Sequence, residues 1–322
     1  MKIVLDANGL DLGVNVAYNA AAKFVNDYQD VQIILVGNFD KSINKHPNIQ
    51  IIYNPNKPSD PRNIRASLKE NNSMNAAINI INENKADGVI TGGDSGSYIA
   101  ALTFKLKRID NVSRPAFMPI ITCLNDEKLL LLDVGANLEV KSEYLYEWAK
   151  LASAFHTTMF NKQNPTVSLL NVGVEEYKGL QVVREAQSLI ESDQKLNYIG
   201  FSETRNLLAG NINVGLIDGY GGNLVIKSYE GAVISFKQAI KQQVKQSFFA
   251  KLGALLLKPS FKKIAQKLDF RNVANAWVLG INALALKIHG AADELSIYIA
   301  LKQMHNAISK DLLNKLKVAL NV

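Results

Sequence analysis

Short uninterrupted apolar runs alternate along this chain with longer stretches whose apolar residues recur every three or four positions. KIVLDA, VQIILVG, IQIIYN, DGVITGG, LLLLDVG, TVSLLNV, LNYIGF and VGLIDG read as strands. NVAYNAAAKFVNDY and SMNAAINIINEN, lying between them, carry helical spacing. Near-continuous apolar strands separated by helices predict a mainly parallel sheet covered on both faces. The expected architecture is therefore a three-layer α/β/α fold around a doubly wound sheet, in a single domain over 1–322.

From about residue 220 to 270 the pattern turns almost wholly helical, with interruptions expected at Gly253 and Pro259. Residues 236–270 read as a helical hairpin projecting from the sheet domain. INALALKIHG then reads as a final strand, and a long helix is expected from about Ala292. The proline-rich NPNKPSDPRN at 54–63 is a loop.

At 322 residues, 48% of them hydrophobic, the chain can bury a sizeable core. Its one cysteine, Cys123, cannot close an intrachain disulfide, which fits a reducing, cytoplasmic setting. The amino-terminus runs into a strand without the apolar core of a signal peptide. No run approaches the length needed to span a membrane. The formal charge of +7 is local. Eight lysines and no Asp or Glu fall within 231–268, and without them 28 basic residues face 29 acidic ones. The segment is amphipathic: Phe248, Phe249, Leu255, Leu256 and Leu257 lie among Lys251, Lys258 and further lysines. It suits an anionic lipid surface or an acidic partner, and a dimerisation hairpin with a solvated lysine face suits it equally. It is short of arginine and its aromatics are not spaced through a basic groove, which argues against nucleic acid.

Several strands end in polar, glycine-flanked tips: Asp6 and Asn8, TGGDSGS, Asp133 and Asn137, NVGVEEYKG with Asn171 and Lys178, and Asp218 with Asn223. One such tip is an ordinary strand-to-helix turn. Five are expected to share one sheet edge and frame a pocket at the carboxyl ends of the strands. GDSG matches a serine-protease string but sits between a strand and a helix, so Ser95 reads as a helix cap or anion ligand. No P-loop, dinucleotide fingerprint or zinc spacing is present, and no metal or cofactor is expected. A lone histidine such as His289 is usually packed or capping. Its neighbours Lys287 and Asp293 would also suit anion binding or proton transfer.

Taken in order, RPA (114–116), LLLLDVGAN (129–137), LLNVGVEEYKG (169–179), NYIGFSETRN (197–206), IDGYGGNLVIKSYEG (217–231), KLGALLLKP (251–259) and GINALALKIHGAAD (280–293) resemble the bacterial acyl-acyl-carrier-protein:phosphate acyltransferase family over residues 1 to about 305. The family opens D-A-M-G-G-D where this chain has DANGLD, with Asn8 for Met and Leu10 for the second glycine. Its S-A-G-N-T-G appears as TGGDSG, which puts Asp94 where an amide is expected. Ala283, Ala291 and Ala292 replace a glycine and two serines.

The resemblance implies an isocitrate/isopropylmalate dehydrogenase-like fold, shared with phosphotransacetylases. It implies attack of inorganic phosphate on the thioester of a long-chain acyl carrier protein, giving acyl-phosphate. It further implies a homodimer, a peripheral place on the membrane, and a membrane glycerol-3-phosphate acyltransferase that consumes the product. The chemistry asks for donors to a dianionic nucleophile, an oxyanion site and apolar shelter, but for no activated serine. Lys178 and Asn223 are the first candidates to hold phosphate or polarise the thioester. Lys227, Arg205 and Lys287 are second-choice phosphate ligands, with His289 assisting. Asp133, Asn137, Asn171 and Asp218 would orient the donors, and Glu175 and Glu176 would fix Lys178. Two other readings stay open: a phosphotransacetylase-like enzyme using acyl-coenzyme A, and a non-catalytic membrane or carrier-binding module.

Overall fold

The structure, a computed structural model, describes residues 1–40, 43, 46–60, 62–268 and 275–321. All eight strand runs become strands: β1 (Lys2–Asp6), β2 (Gln32–Gly37), β3 (Ile49–Tyr53), β4 (Gly88–Thr91), β6 (Lys128–Leu132), β7 (Thr166–Leu170), β8 (Asn197–Ser202) and β9 (Val214–Leu216). Two more, β5 (Ala116–Thr122) and β10 (Ala276–Leu279), join them, and the last apolar run supplies β11 (Leu284–Lys287). β5 carries Pro119, a residue that reads against a central strand. It is tolerated at the last β10 pairing, opposite Ala276.

The eleven strands form one sheet in the order β3-β2-β1-β4-β11-β10-β5-β6-β9-β7-β8. Pairing is parallel within β3-β2-β1-β4-β11 and within β6-β9-β7-β8. It is antiparallel at β11-β10, β10-β5 and β5-β6. Three reversals make the two parallel blocks run in opposite directions. The carboxyl ends of β1, β4 and β11 therefore lie on one edge of the sheet, and those of β6, β9, β7 and β8 on the other. The expectation that all the polar tips share one edge is corrected by this topology.

Alternate residues of the strands enter cores on opposite faces. On one face Ile3, Leu5, Leu130 and Leu132 pack against α1 (Val14–Asp27), α5 (Ser142–Phe160), α6 (Gln181–Ser192), α10 (Glu294–Ser309) and α11 (Leu312–Ala319). On the other, Val4, Val89 and Phe117 meet α3 (Ser73–Asn82) and α4 (Ser95–Lys105). On that same face Leu129 and Leu131 meet Val225 and Ile226 of α7 (Gly219–Gln246).

Beyond its first three turns α7 leaves the sheet, followed by α8 (Phe248–Leu256) and α9 (Lys258–Lys267). Residues 236–268 form the arm; the last two residues of the expected 236–270 hairpin lie outside the described residues. Its breaks fall at Ser247 and Leu257, not at Gly253 and Pro259. Gly253 sits inside α8. Pro259 sits in the first turn of α9, where its missing N–H costs no hydrogen bond. Lys267 ties the end of the arm to the β5–β6 turn, donating to the Asp126 carboxylate and the Leu124 carbonyl, both at 2.8 Å. Phe248 is 75% exposed, Phe249 82% and Leu256 76%, with Leu255, Leu257, Lys251 and Lys258 also exposed. No helix among the described residues is long and apolar enough to cross a membrane.

Candidate active site

At the edge formed by β6, β9, β7 and β8, the centre of the polar cluster is Asp133. Its carboxylate is wholly buried, and accepts from the backbone N–H groups of Phe117 (2.9 Å), Ala136 (3.1 Å) and Asn137 (2.6 Å) and from Asn137 Nδ2 (3.0 Å). Burial pushes this carboxyl above the ordinary range, while those hydrogen bonds pull it back. Asn137 Nδ2 also reaches the Pro115 carbonyl at 2.8 Å, and the Asn137 carbonyl accepts from Gly219 N–H at 2.8 Å.

Asp218 caps α7 through Gly221 N–H at 2.8 Å. The positive end of a 28-residue helix thus points at the same turn. One turn on, Asn223 Nδ2 donates to the Val134 carbonyl at 3.2 Å. Two glycines allow this approach. A Cβ on Gly135, whose φ of 125° already favours glycine, would sit 2.7 Å from Asn223 Nδ2, and one on Gly222 would overlap the Asp133 carbonyl oxygen. LLDVGAN and IDGYGGN are therefore two halves of one site.

NVGVEEYKG follows β7 on this edge. Lys178 Nζ pairs with Glu175 Oε1 at 2.7 Å and is 38% exposed; Glu175, not Glu176, holds it. That hydrogen bond holds the Glu175 carboxyl below its usual range. Asn171 Nδ2 clamps the loop by donating to the Lys178 carbonyl at 3.0 Å. Arg205, after β8, is exposed and pairs with Glu203. Lys227 is exposed one turn past Asn223 on α7.

The other edge gathers a separate set. Asp6 is buried, accepts from Thr91 Oγ1 at 2.6 Å and has its carboxyl raised by burial. Lys287, at the end of β11, donates to the Ile288 carbonyl and feels the charges of Asp94, Asp6 and Asp11; burial lowers it from the ordinary 10.5 to about 8. His289 is exposed, with Nδ1 accepting from Ala291 N–H at 3.1 Å. Asp293 instead caps α10, through Ser296 N–H at 2.8 Å. The cap of α4 is Asp94, which accepts from Ser97 N–H at 2.7 Å; the expectation that Ser95 caps it is corrected, since Ser95 is already helical.

The departures near the amino-terminus have physical roles here. Asn8 braces three loops, donating to the Asn54 and Asn56 carbonyls (2.8 and 3.2 Å) and accepting from Asn38 N–H at 2.8 Å. Leu10, buried, covers Gly92 so closely that a Cβ there would lie 2.7 Å from its Cδ2.

A cleft of about 1130 Å³ lies between α4 and the β6 tip. It runs from Gly96, in the first turn of α4, along Ile99, Ala100 and Phe104 to Gly135, Ala136 and Asn137. The eight residues of α4 from Gly96 to Thr103 give that wall a length of about 12 Å. Its further wall is the 108–115 segment, with Glu147 behind it. Sequence reasoning missed this wall. Arg114 was visible only as part of RPA, and Glu147 carries no local signal because it acts on a loop more than thirty residues away.

The profile of the fatty acid synthesis protein family matches residues 1–315. The chain belongs to this family. A phosphate acyltransferase of Mycoplasmopsis agalactiae is 48% identical over 99% of this chain and 98% of its own length. One from Mycoplasma mobile is 44% identical over 98% and 99%, and one from Clostridium novyi 33% over 98% of each. Among solved structures, a phosphotransacetylase from Streptococcus pyogenes superposes with a TM-score of 0.60 at 16% identity, covering 100% of this chain and 94% of that one. EutD phosphotransacetylase from Staphylococcus aureus gives 0.57 at 19% identity, over 96% and 94%. These two likenesses show the fold.

Proposed function

We propose that the chain transfers a long-chain fatty acyl group from acyl carrier protein to inorganic phosphate, releasing acyl-phosphate for phospholipid synthesis. The observation that carries this reading is the junction of LLDVGAN with IDGYGGN: a buried carboxylate, a helix amino-terminus and the Asn223 amide meet at the end of a large cleft, in a chain 48% identical to a phosphate acyltransferase over nearly its whole length.

A phosphate oxygen attacks the thioester carbon, and the carbonyl oxygen becomes an oxyanion. The Asn223 amide and the positive end of α7 stabilise that charge. The tetrahedral intermediate then collapses, the C–S bond breaks and the carrier leaves as a thiolate. Lys178 exchanges its exposed Glu175 partner for the phosphate dianion, whose greater charge it meets in the same solvent-accessible loop. Asp133, Asn137, Asn171 and Asp218 hold these groups in place. Arg205 and Lys227 add positive charge on the same side. Lys287 and His289 stand at the other edge of the sheet, outside the lining of the cleft, and take no part in this step.

The exposed apolar and lysine residues of the arm support docking on an anionic lipid surface, where a membrane glycerol-3-phosphate acyltransferase takes up the product. They equally support burial against a second copy in a homodimer. Release of free thiol from long-chain acyl carrier protein, with and without phosphate, tests the reaction. Phosphate-dependent release should fall at least 100-fold in Lys178→Ala and about as far in Asn223→Ala. Absence of phosphate-dependent release from folded wild-type protein, with acyl carrier protein or acyl-coenzyme A as donor, would rule the reading out.

A further inference from the structure

The 108–115 wall of the cleft is fixed from four sides. Ser113 N–H and Oγ each donate to Glu147 at 2.7 Å, and Trp148 Nε1 donates to the Arg114 carbonyl at 2.8 Å. Asn137 Nδ2 holds Pro115, and Ile109 N–H donates to the Gly280 carbonyl at 3.0 Å. The Arg108 guanidinium braces the segment internally, donating to the Ser113 carbonyl. This backbone is preorganised by hydrogen bonds that engage both carboxylate oxygens of Glu147, and its own carboxylate, Asp110, is exposed.

Two cations stand on it. Arg108 and Arg114 both line the cleft and are both exposed. The Arg114 guanidinium has no hydrogen bond or ion pair among the described residues. Around them the lining of the cleft is mixed. Ile99, Phe104 and Val112 alternate with Thr103, Asn111 and Ser113. A bare hydrocarbon chain laid there would strip water from those polar groups and give nothing in exchange. A chain that is itself amphipathic, with amides and methyl groups and an anion at its far end, would satisfy them.

We propose that Arg108 and Arg114 form a phosphate-recognition subsite at the mouth of the cleft. It takes the phosphate that anchors the pantetheine arm of the acyl donor, while the arm lies along Ile99, Phe104 and Val112 and its thioester reaches Gly135 and Asn223. The inference rests on the acyl-transfer reading above and names how its donor is held. Guanidinium suits the task because its planar fork donates two parallel hydrogen bonds to a phosphate. The fixed wall lets the pair bind without first ordering a loop.

Calorimetry on the full chain with 4′-phosphopantetheine and with pantetheine reads the subsite without turnover. Wild type should bind the phosphorylated arm about 10- to 100-fold more tightly, as expected for hydrogen bonds to a charged group. Arg108→Gln and Arg114→Gln should each cut that ratio, and the double variant should bring it close to one, with unchanged circular-dichroism melts. In thiol-release assays the ratio of kcat/KM for acyl-phosphopantetheine over acyl-pantetheine should collapse in the same order, chiefly through KM. Three outcomes overturn the proposal: no preference for the phosphorylated arm in wild type, equal losses with both arms, or an arginine effect seen only with intact carrier protein, which would place the contact on the carrier's surface. A phosphate preference in binding without phosphate-dependent turnover would instead sink the reaction and leave an arm-binding site.

Discussion

Asp133 shows how much one buried side chain carries. Its carboxylate satisfies three backbone N–H groups and the Asn137 amide, and through Asn137 it reaches both α7 and the cleft wall. Asp133→Ala orphans those donors, so unfolding free energy in urea should drop by about 2–4 kcal/mol, with activity lost even where the variant remains folded. Lys287 makes a prediction of opposite character. Folded, it gives up its proton near 8; unfolded, near 10.5. Below pH 8 both states hold the proton and the cost of burying the charge is complete. Between 8 and 10.5 the unfolded chain binds more protons, so stability gains with pH. Measured against Lys287→Met, wild type should gain by up to about 1.4 kcal/mol per pH unit from pH 8 to 10 and stay level from 6 to 7.5. A difference that ignores pH would mean Lys287 titrates as an ordinary exposed lysine.

Helix caps were partly legible in advance. In TGGDSG the sequence pointed to Ser95 as the cap, and only the backbone shows that Ser95 is already helical and that Asp94 caps α4, as Asp218 caps α7. Asp94→Ala should cost about 1 kcal/mol, whereas Asp94→Asn keeps a capping oxygen and should cost far less. Both remove a charge that raises Lys287, so the Lys287 titration followed by NMR should move further below 8 in each. At the start of α7, Gly222→Ala drives a methyl into the Asp133 carbonyl and should abolish activity before it abolishes folding. Gly253→Ala, inside α8 with open space around it, should leave the arm intact or slightly more stable. The arm's breaks escaped the sequence because Gly and Pro advertise interruptions that their positions here do not require.

For the whole molecule, the arm is a large exposed apolar surface. Phe248→Ser with Phe249→Ser should cut flotation with vesicles of anionic lipid by at least tenfold, while thiol release from a soluble donor is retained. Sedimentation of the same variant separates the two roles proposed for the arm: a shift from dimer to monomer assigns the phenylalanines to the subunit contact, and an unchanged dimer assigns them to lipid.

The sequence by itself determined nine of the eleven strands, the layering and the family, because periodicity and turn chemistry are local and because IDGYGGN and NVGVEEYKG are contiguous strings. It also singled out Asp133, Asn137, Asp218 and Asn223 as candidates, since all four sit in glycine-rich strand tips, and the fold brings the four together. Only the tertiary structure decided which tips meet. Three antiparallel pairings in the middle of the sheet, two of them made by the strand carrying Pro119, reverse half of the molecule and send Lys287 and Lys178 to opposite edges. The cleft between α4 and the β6 tip, and the arginines on its wall, depend on contacts between residues far apart in the chain, which no local pattern records.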